Sequence, residues 1–415
     1  MANAGETRKA RMGDGKTATE SSLSVLSAFA GAGGLDLGLE AAGFRTIACI
    51  ERDPDARKTL RSNRPWTLLE PGDIVDVAPT LTPATLGLER RELAMIAAGP
   101  PCQPFSKAAQ WSHKGRAGLA DPRSACLRQL LDLMDTFLPR VLLIENVVGF
   151  ARGSQAALAM ITEALADINR REGTHYELRD TVLDAVRYGV PQRRTRAILV
   201  AVRDGTQLEW PEATHTAHPT RAWDALADMR DEEKPEAVGQ WAALLPSIPE
   251  GWNYLWHTDR GGGKPLFGYR RRYWSFLLKL AKAEPGWTIS AHPGPATGPF
   301  HWENRPLSVR EMLRLQSFPR SWRVSGEYRA QVRQIGNATP PLLAEVIGRS
   351  IGEQVFGLSY DERPQYWVAR KRLVPDPAPV AGVPLEFLKH VGDHPAHPGT
   401  GQGPKPVTSI EGLAA

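Results

Sequence analysis

Short apolar runs recur along the first half of the chain, at residues 23–29, 46–50, 93–98, 140–144 and 197–202. Each is bounded by polar, glycine or proline positions, and each reads as a buried strand. Helical periodicity lies between them. Leu35, Leu39 and Ala42 share one face until Gly43 ends the helix, and Leu127, Leu130, Leu131, Met134 and Phe137 share another. Residues 154–171 carry Ala157, Leu158, Ile161, Leu165 and Ile168 at the same period. Alternating strands and helices predict an α/β domain built on a mostly parallel sheet. Regular pattern returns at 307–316, where Ser308 and Glu311 form a capping box, and in a last helix through Leu342, Val346 and Ile347. From 203 to 304 the periodicity weakens while Gly and Pro rise. Residues 1–22 are small and polar and are expected to be mobile. Beyond Gly357 the chain is Pro-rich, with little packed structure expected after about residue 390.

Composition narrows the class. A chain of 415 residues with 42% hydrophobic and 23% charged content can bury a large core, in two domains. No apolar run is long enough for a membrane span, and no signal peptide is expected. Cys49, Cys102 and Cys126 are too few and too scattered for a disulfide framework or a zinc cluster, so a reducing cytoplasm and no metal are expected. A net charge of +5 suits a polyanionic partner if the charge is clustered. Eight of the twelve tryptophans fall between 203 and 304, together with Gly261-Gly262-Gly263-Lys264 and Tyr269-Arg270-Arg271-Arg272-Tyr273-Trp274. Cations meet phosphate and aromatic faces meet bases, so this region, rather than any single residue in it, is a candidate nucleic-acid surface. For one residue alone, core packing or a solvated charge run is the commoner explanation.

Candidate chemistry collects at the strand ends. The first strand runs into Phe29-Ala30-Gly31-Ala32-Gly33-Gly34 and then a helix, as at the entrance of a Rossmann-type nucleotide site. Glu51 ends the second strand 20 residues beyond Gly31, where such folds bind ribose hydroxyls. Gly72-Asp73-Ile74 offers another carboxylate at the same edge. The glycine pattern is incomplete, and alone it also fits a plain tight turn. After the third run come Gly99-Pro100-Pro101-Cys102-Gln103-Pro104-Phe105-Ser106. The prolines fix the backbone before Cys102, which is placed either for nucleophilic attack or as a buried structural thiol. A Gly-containing loop then leads to Arg123 and reads as a lid. Glu145 follows four apolar strand residues, so a partly buried carboxyl able to donate a hydrogen bond is expected there. Gln192, Arg194 and Arg196 alternate, which puts all three on one face if they lie in a strand. They require acceptors from a ligand or carboxylate, unless the strand is a solvated edge.

In combination these segments resemble the DNA (cytosine-5) methyltransferases of the bacterial restriction–modification type. Six motifs occur in family order: the glycine loop at 29–34, Pro100-Pro101-Cys102-Gln103-Pro104-Phe105-Ser106, Glu145-Asn146-Val147, Gln192-Arg193-Arg194-Thr195-Arg196, the segment 305–319, and Gly336-Asn337-Ala338-Thr339-Pro340-Pro341. Thr339 stands where the family often has valine.

The resemblance implies a Rossmann-like, mostly parallel seven-stranded sheet with a smaller, irregular target-recognition domain. The expected divisions are a mobile segment 1–22, a catalytic and cofactor domain 23–203, target recognition at 204–304, returning helices at 305–357, and a partly disordered extension 358–415. The implied cofactor is S-adenosyl-L-methionine, bound by Phe29, Gly31, Gly34, Glu51, Asp73, Ile74, Pro101 and Asn337. Cys102 is implied to attack cytosine C6, Glu145 to hold N3 and the exocyclic amine, and Arg196 to hold O2. Arg194 is implied to support Glu145 or the ring face. Contacts to double-stranded DNA are expected from Gln103, Ser106, Arg123, Arg270, Arg271 and Arg272, with the target base flipped out of the duplex. A monomer is expected, sharing its site with a cognate restriction endonuclease that it does not touch. Three other readings fit less. A tRNA methyltransferase lacks the hallmark Cys-Phe-Thr here, a NAD-dependent oxidoreductase leaves the Pro-Cys-Gln corner without a job, and an inactive DNA-binding module does not explain filled catalytic positions.

Overall fold

The computed structural model describes residues 11–12, 23–101, 124–153, 155–229, 234–268, 273–371 and 373–392. In chain order, β1 (Arg11–Met12) precedes β2 (Ser24–Ala28), α1 (Gly34–Ala41), β3 (Arg45–Ile50), α2 (Pro54–Asn63), β4 (Thr67–Leu68), α3 (Ile74–Val77) and β5 (Met95–Ala98). Then follow α4 (Ser124–Phe137), β6 (Val141–Asn146), α5 (Val148–Gly153), α6 (Gln155–Glu172), β7 (Arg179–Asp184) and β8 (Thr195–Val202). The second half holds α7 (Ala222–Leu226), α8 (Val309–Leu315), α9 (Tyr328–Asn337), α10 (Pro341–Phe356) and β9 (Leu358–Ser359).

Seven strands form one sheet in the order β4-β3-β2-β5-β6-β8-β7. All run parallel except β8, which is antiparallel to both neighbours. The strand order reverses beside β2, and in open α/β sheets the crevice at such a switch point, at the carboxyl ends of the strands, is where ligands bind. Because β8 is reversed, its start lies beside the end of β6, with Asn146 opposite Ala197 and Glu145 opposite Ile198.

Alternate strand residues pack on opposite faces. Val25, Cys49, Met95, Leu143 and Val200 share a core with Leu37 and Leu39 of α1 and Leu342 and Ile347 of α10. Leu26, Ile96, Leu142 and Leu199 share the other with Leu130 and Met134 of α4 and Ile161 and Leu165 of α6. Two glycines let α1 and α10 approach closely. A Cβ on Gly38 would stand 2.3 Å from the Ala344 Cβ, and one on Gly348 2.8 Å from the Ala42 Cβ. The last helix is thus part of the sheet's first layer, far though it is in sequence.

Among its described residues the segment from Arg203 to Asn304 contains α7, two 3-10 turns and isolated bridges, in keeping with its weak periodicity. It holds a small core of its own, including Leu244, Ile248, Tyr254, Phe267, Phe276 and Phe300. Phe387 from the Pro-rich tail is buried in that core and stacks on Trp241 at 5.6 Å between ring centroids. The helix expected over 154–171 is preceded by a separate turn of helix, α5. The 1–22 stretch, expected to lack fixed structure, contributes Arg11–Met12 in antiparallel pairing with β9. Two residues of backbone pairing leave no periodicity to read.

Candidate active site

Three local devices shape the β2–β3 side of the switch point. After β2, Phe29 adopts a left-handed backbone (φ 60°), a conformation that bulky residues avoid unless surrounding structure imposes it. Its N–H donates to the Ile50 carbonyl at 2.8 Å, tying the loop to the end of β3. Gly31 is also left-handed (φ 55°), and the nearest atom to a Cβ there would be 3.9 Å away, so the loop leaves open space above it. The Gly31 N–H donates to Glu51 Oε2 at 2.8 Å, and Glu51 Oε1 accepts from Asp53 N at 2.7 Å. Burial pushes the Glu51 carboxyl upward despite these bonds. Gly34 touches the far end of the chain, since a Cβ there would stand 2.1 Å from the Thr339 carbonyl oxygen.

Asp73 caps α3, its Oδ1 accepting from Val75 N at 3.1 Å, and it leaves Oδ2 3.5 Å from Arg52. Ile74 is buried beside it. Asn337 ends α9 with its side chain exposed, and Pro101 is half-buried at the end of the β5 corner. Sequence reasoning missed the supports behind this wall. Buried Arg57 donates through Nη1 to the carbonyls of Glu51 (2.8 Å) and Leu69 (2.9 Å). Arg333 pairs with Asp53 at 2.6 Å, joining α9 to the loop after β3.

On the other side of β5 the chain turns at Gly99-Pro100-Pro101. Asn146 Nδ2 donates to the Pro100 carbonyl at 3.0 Å, and its Oδ1 accepts from Val147 N at 2.9 Å. One side chain therefore fixes both the corner and the end of β6. Glu145 is buried, and its Oε2 lies 4.0 Å from where a Gly99 Cβ would be. Its Oε1 is 2.8 Å from Arg196 Nε, with only 8% of the Glu145 and 12% of the Arg196 side chain exposed. The contact is an ion pair without the alignment of a hydrogen bond.

Arg194 takes another direction. It precedes β8 and is fully buried, and its Nη2 donates to the carbonyls of Gly336 and Ala338, each at 2.8 Å. Nε and Nη1 have no partner among the described residues. Burial, with the Arg196 charge adding to it, pushes this guanidinium well below its usual range, and Glu145 opposes the shift. The carboxylate thus meets Arg196, not Arg194, whose contacts are those of a positioning residue. The expected common face of Gln192, Arg194 and Arg196 is corrected in the same way, because only Arg196 lies inside the strand. Gln192 accepts from Ile289 N at 3.3 Å. Arg193 points outward, pairing with Glu284 at 2.9 Å and lying 4.8 Å from the Trp287 ring centre. Cys102, Gln103, Ser106, Arg123, Arg270, Arg271 and Arg272 lie outside the described residues.

The geometry sets a buried carboxyl and guanidinium side by side, next to the Pro100-Pro101 corner. Such a pair can hold the polar edge of a flat heterocycle, donating and accepting at adjacent positions. The glycine crevice lies across β5 from it, on the side of β2 and β3.

Comparison with known proteins identifies the family. The family model for C-5 cytosine-specific DNA methylase matches residues 23–353. The type II methyltransferase M.SacI of Streptomyces achromogenes is 35% identical, over 80% of this chain and 93% of its own length. M.Eco47II of Escherichia coli is 36% identical, over 79% and 78%. Among solved structures, the S. pombe Dnmt2 methyltransferase superposes with a TM-score of 0.54 at 20% identity, covering 80% of this chain and 100% of its own. The Entamoeba histolytica methyltransferase EhMeth gives 0.54 at 16% identity, covering 80% and 98%.

Proposed function

The chain belongs to the C-5 cytosine-specific DNA methylase family, and we propose that it methylates carbon 5 of a flipped cytosine through Cys102, Glu145 and Arg196. It is a DNA (cytosine-5) methyltransferase of the restriction–modification type. The observation that carries the assignment of roles is the buried Glu145–Arg196 pair beside the Pro100-Pro101 corner.

S-adenosyl-L-methionine is the proposed donor and supplies an electrophilic methyl group on a sulfonium. The residues present fit it. Open space at Gly31, the left-handed Phe29 and the Glu51 carboxylate stand at the ends of the adjacent strands β2 and β3, Asp73 follows β4, and Asn337 is exposed. Gly31 and Gly34 would admit the methionine portion, Glu51 the ribose hydroxyls, Asp73 the adenine amine, and Phe29, Ile74 and Pro101 its ring faces.

Cytosine C5 is a weak nucleophile. In the proposed mechanism the Cys102 thiolate bonds to C6, and the C5–C6 electron pair becomes available at C5. Glu145 accepts from the exocyclic amine and, through a proton on its carboxyl, donates to N3, which relieves the charge that develops as the adduct forms. Arg196 holds O2 and keeps Glu145 oriented. C5 takes the methyl group and then loses its proton to a base. The C5–C6 double bond reforms as the sulfur leaves. Arg194 acts through the Gly336 and Ala338 carbonyls, keeping Asn337 at the pocket. Residues 204–304 are proposed to read the DNA site, with Gln103, Ser106, Arg123 and Arg270–Arg272 on the duplex. The work is assigned to a monomer in the cytoplasm, alongside an endonuclease of the same specificity.

Bisulfite sequencing of DNA from a methylation-free host expressing the chain tests this function. Protected cytosines in one fixed short context are expected. Complete conversion at every site would overturn it.

A further inference from the structure

The Pro-rich tail is seated in two separate cores. Its first anchor lies against α10. Glu345 is fully buried there, and its carboxylate accepts from Gln365 N at 2.6 Å and Tyr366 N at 3.0 Å. Arg349, paired with Glu345 at 2.8 Å, donates to the Arg363 carbonyl at 3.2 Å. Tyr366 and Val368 are buried in the core that α1 and α10 share with the sheet. The second anchor lies in the small core of the 204–304 segment. Phe387 is buried in it, and Ala381 N donates to the Pro246 carbonyl at 3.0 Å.

Between the anchors the chain passes α7. Lys371 N donates to buried Asp224 at 2.7 Å, and Arg221 donates to the Lys371 carbonyl at 2.5 Å. Residues 375–382 are then exposed, with Pro375, Pro377 and Pro379 alternating along the span. Proline fixes φ, so such a span is stiff and extended and sets the separation of its ends. The 204–304 segment also meets the sheet at the start of β8. There Arg193 N donates to the Gly286 carbonyl at 2.8 Å, and Gly286 N to the Pro191 carbonyl at 2.9 Å. Two parts of a chain joined through a modest interface move against each other by default. A tail seated in both parts opposes that motion, because each anchor holds the other at a high effective concentration.

We propose that residues 360–390 are a strap that fixes the 204–304 segment against the sheet, positioning that segment for the duplex and not for the methyl donor. The proposal rests on the reading of 204–304 as the part that meets DNA. The strap's partners, among them Glu345, Asp224, Pro246 and Trp241, are distinct from the residues assigned to the donor. Loosening it therefore acts on duplex binding and leaves the donor pocket as it was.

An engineered cut tests the strap without removing either anchor. Residues 375–380 are replaced by a protease recognition sequence of the same length, and the full chain is cut after it has folded. Hydrogen exchange is expected to become about tenfold faster in peptides holding Arg193 and Gly286, and to stay unchanged in β5. Affinity for a duplex bearing the site found by bisulfite sequencing is expected to fall about tenfold, with affinity for S-adenosyl-L-methionine unchanged. Phe387→Ala in the uncut chain should repeat both effects, and Phe387→Leu should stay near wild type. Unchanged exchange at Arg193 and Gly286 after cutting would overturn the strap. Faster exchange with unchanged duplex affinity, or an equal loss of donor and duplex affinity, would overturn its positioning role. If the uncut chain binds no duplex, the reading of 204–304 fails, and with it the positioning role, while the exchange data still decide whether the strap exists.

Discussion

Arg194 and Gly336 are 142 residues apart in sequence, and the guanidinium of one donates to the carbonyl of the other at 2.8 Å. The same Nη2 reaches Ala338, so one buried side chain holds the backbone on both sides of Asn337. Replacing it with methionine keeps bulk but leaves two buried carbonyls unpaired. The expected cost is on the order of 2–3 kcal/mol of stability. A raised KM for the methyl donor should accompany it, with kcat less affected. Denaturant melts and donor titrations check this, and an unchanged donor KM would refute the positioning role.

Arg196 and Arg193 are neighbours but one turn of the chain separates their tasks. Arg196 faces Glu145, whereas Arg193 faces exposed Glu284 and the Trp287 ring. Arg196→Ala should lower kcat by about a hundredfold, as when one donor to a developing charge is removed. Arg193→Ala should keep most of the turnover. Single-turnover assays on one duplex decide the matter, and equal losses would count against the assignment.

Cys102→Ser should abolish methyl transfer while DNA binding persists, because the serine hydroxyl is a far weaker nucleophile than a thiolate. Gel-shift titration beside the activity assay reads both properties. Wild-type turnover in this variant would exclude the covalent route.

Asp36 has a distinct pH signature. It is fully buried on α1, and burial, with Glu40 adding like charge, raises its carboxyl to about 7. Its oxygens have no well-formed hydrogen bond, although Ser27 and Thr46 stand close by. The folded state therefore holds this proton more tightly than the unfolded chain does. Stability is fully present below the ordinary carboxylate range and falls as pH rises toward and through about 7. Asp36→Asn should be more stable at pH 8 by on the order of 4 kcal/mol and no more stable at pH 4. Urea melts at the two pH values check the sign.

Gly38→Ala places a methyl group within 2.5 Å of Pro341 O and Glu345 N as well as the Ala344 side chain. Two of these are backbone, so α1 and α10 would have to separate. A loss of about 2–3 kcal/mol is expected, measurable as a lowered melting midpoint.

Much of this arrangement is legible in the residues. Glu145 stands out because a carboxylate follows four apolar strand positions, and Glu51 because it closes a strand at the right distance from Gly31. Ser308 and Glu311 form the capping box their spacing predicts. The partners of Arg194 are not legible, since backbone carbonyls carry no residue signature and lie far along the chain. The role of Asn146 is hidden for the same reason, its target being the Pro100 carbonyl. The tail reads as loosely packed because prolines break periodicity. Its anchors are single side chains such as Phe387 on Trp241, which no periodic test detects.

The contact of Gly34 with Thr339 also orders events on the ribosome. The glycine loop and its strands emerge early, yet the wall against Gly34 comes from residues made some three hundred codons later. A nascent chain halted at Asn304 would expose the apolar faces of Leu37 and Leu39 that α10 covers in the finished protein. The loop at Gly34 thus gains this wall only once residues 338–339 have been made. A product truncated there would lack the Thr339 wall even with Cys102, Glu145 and Arg196 already present.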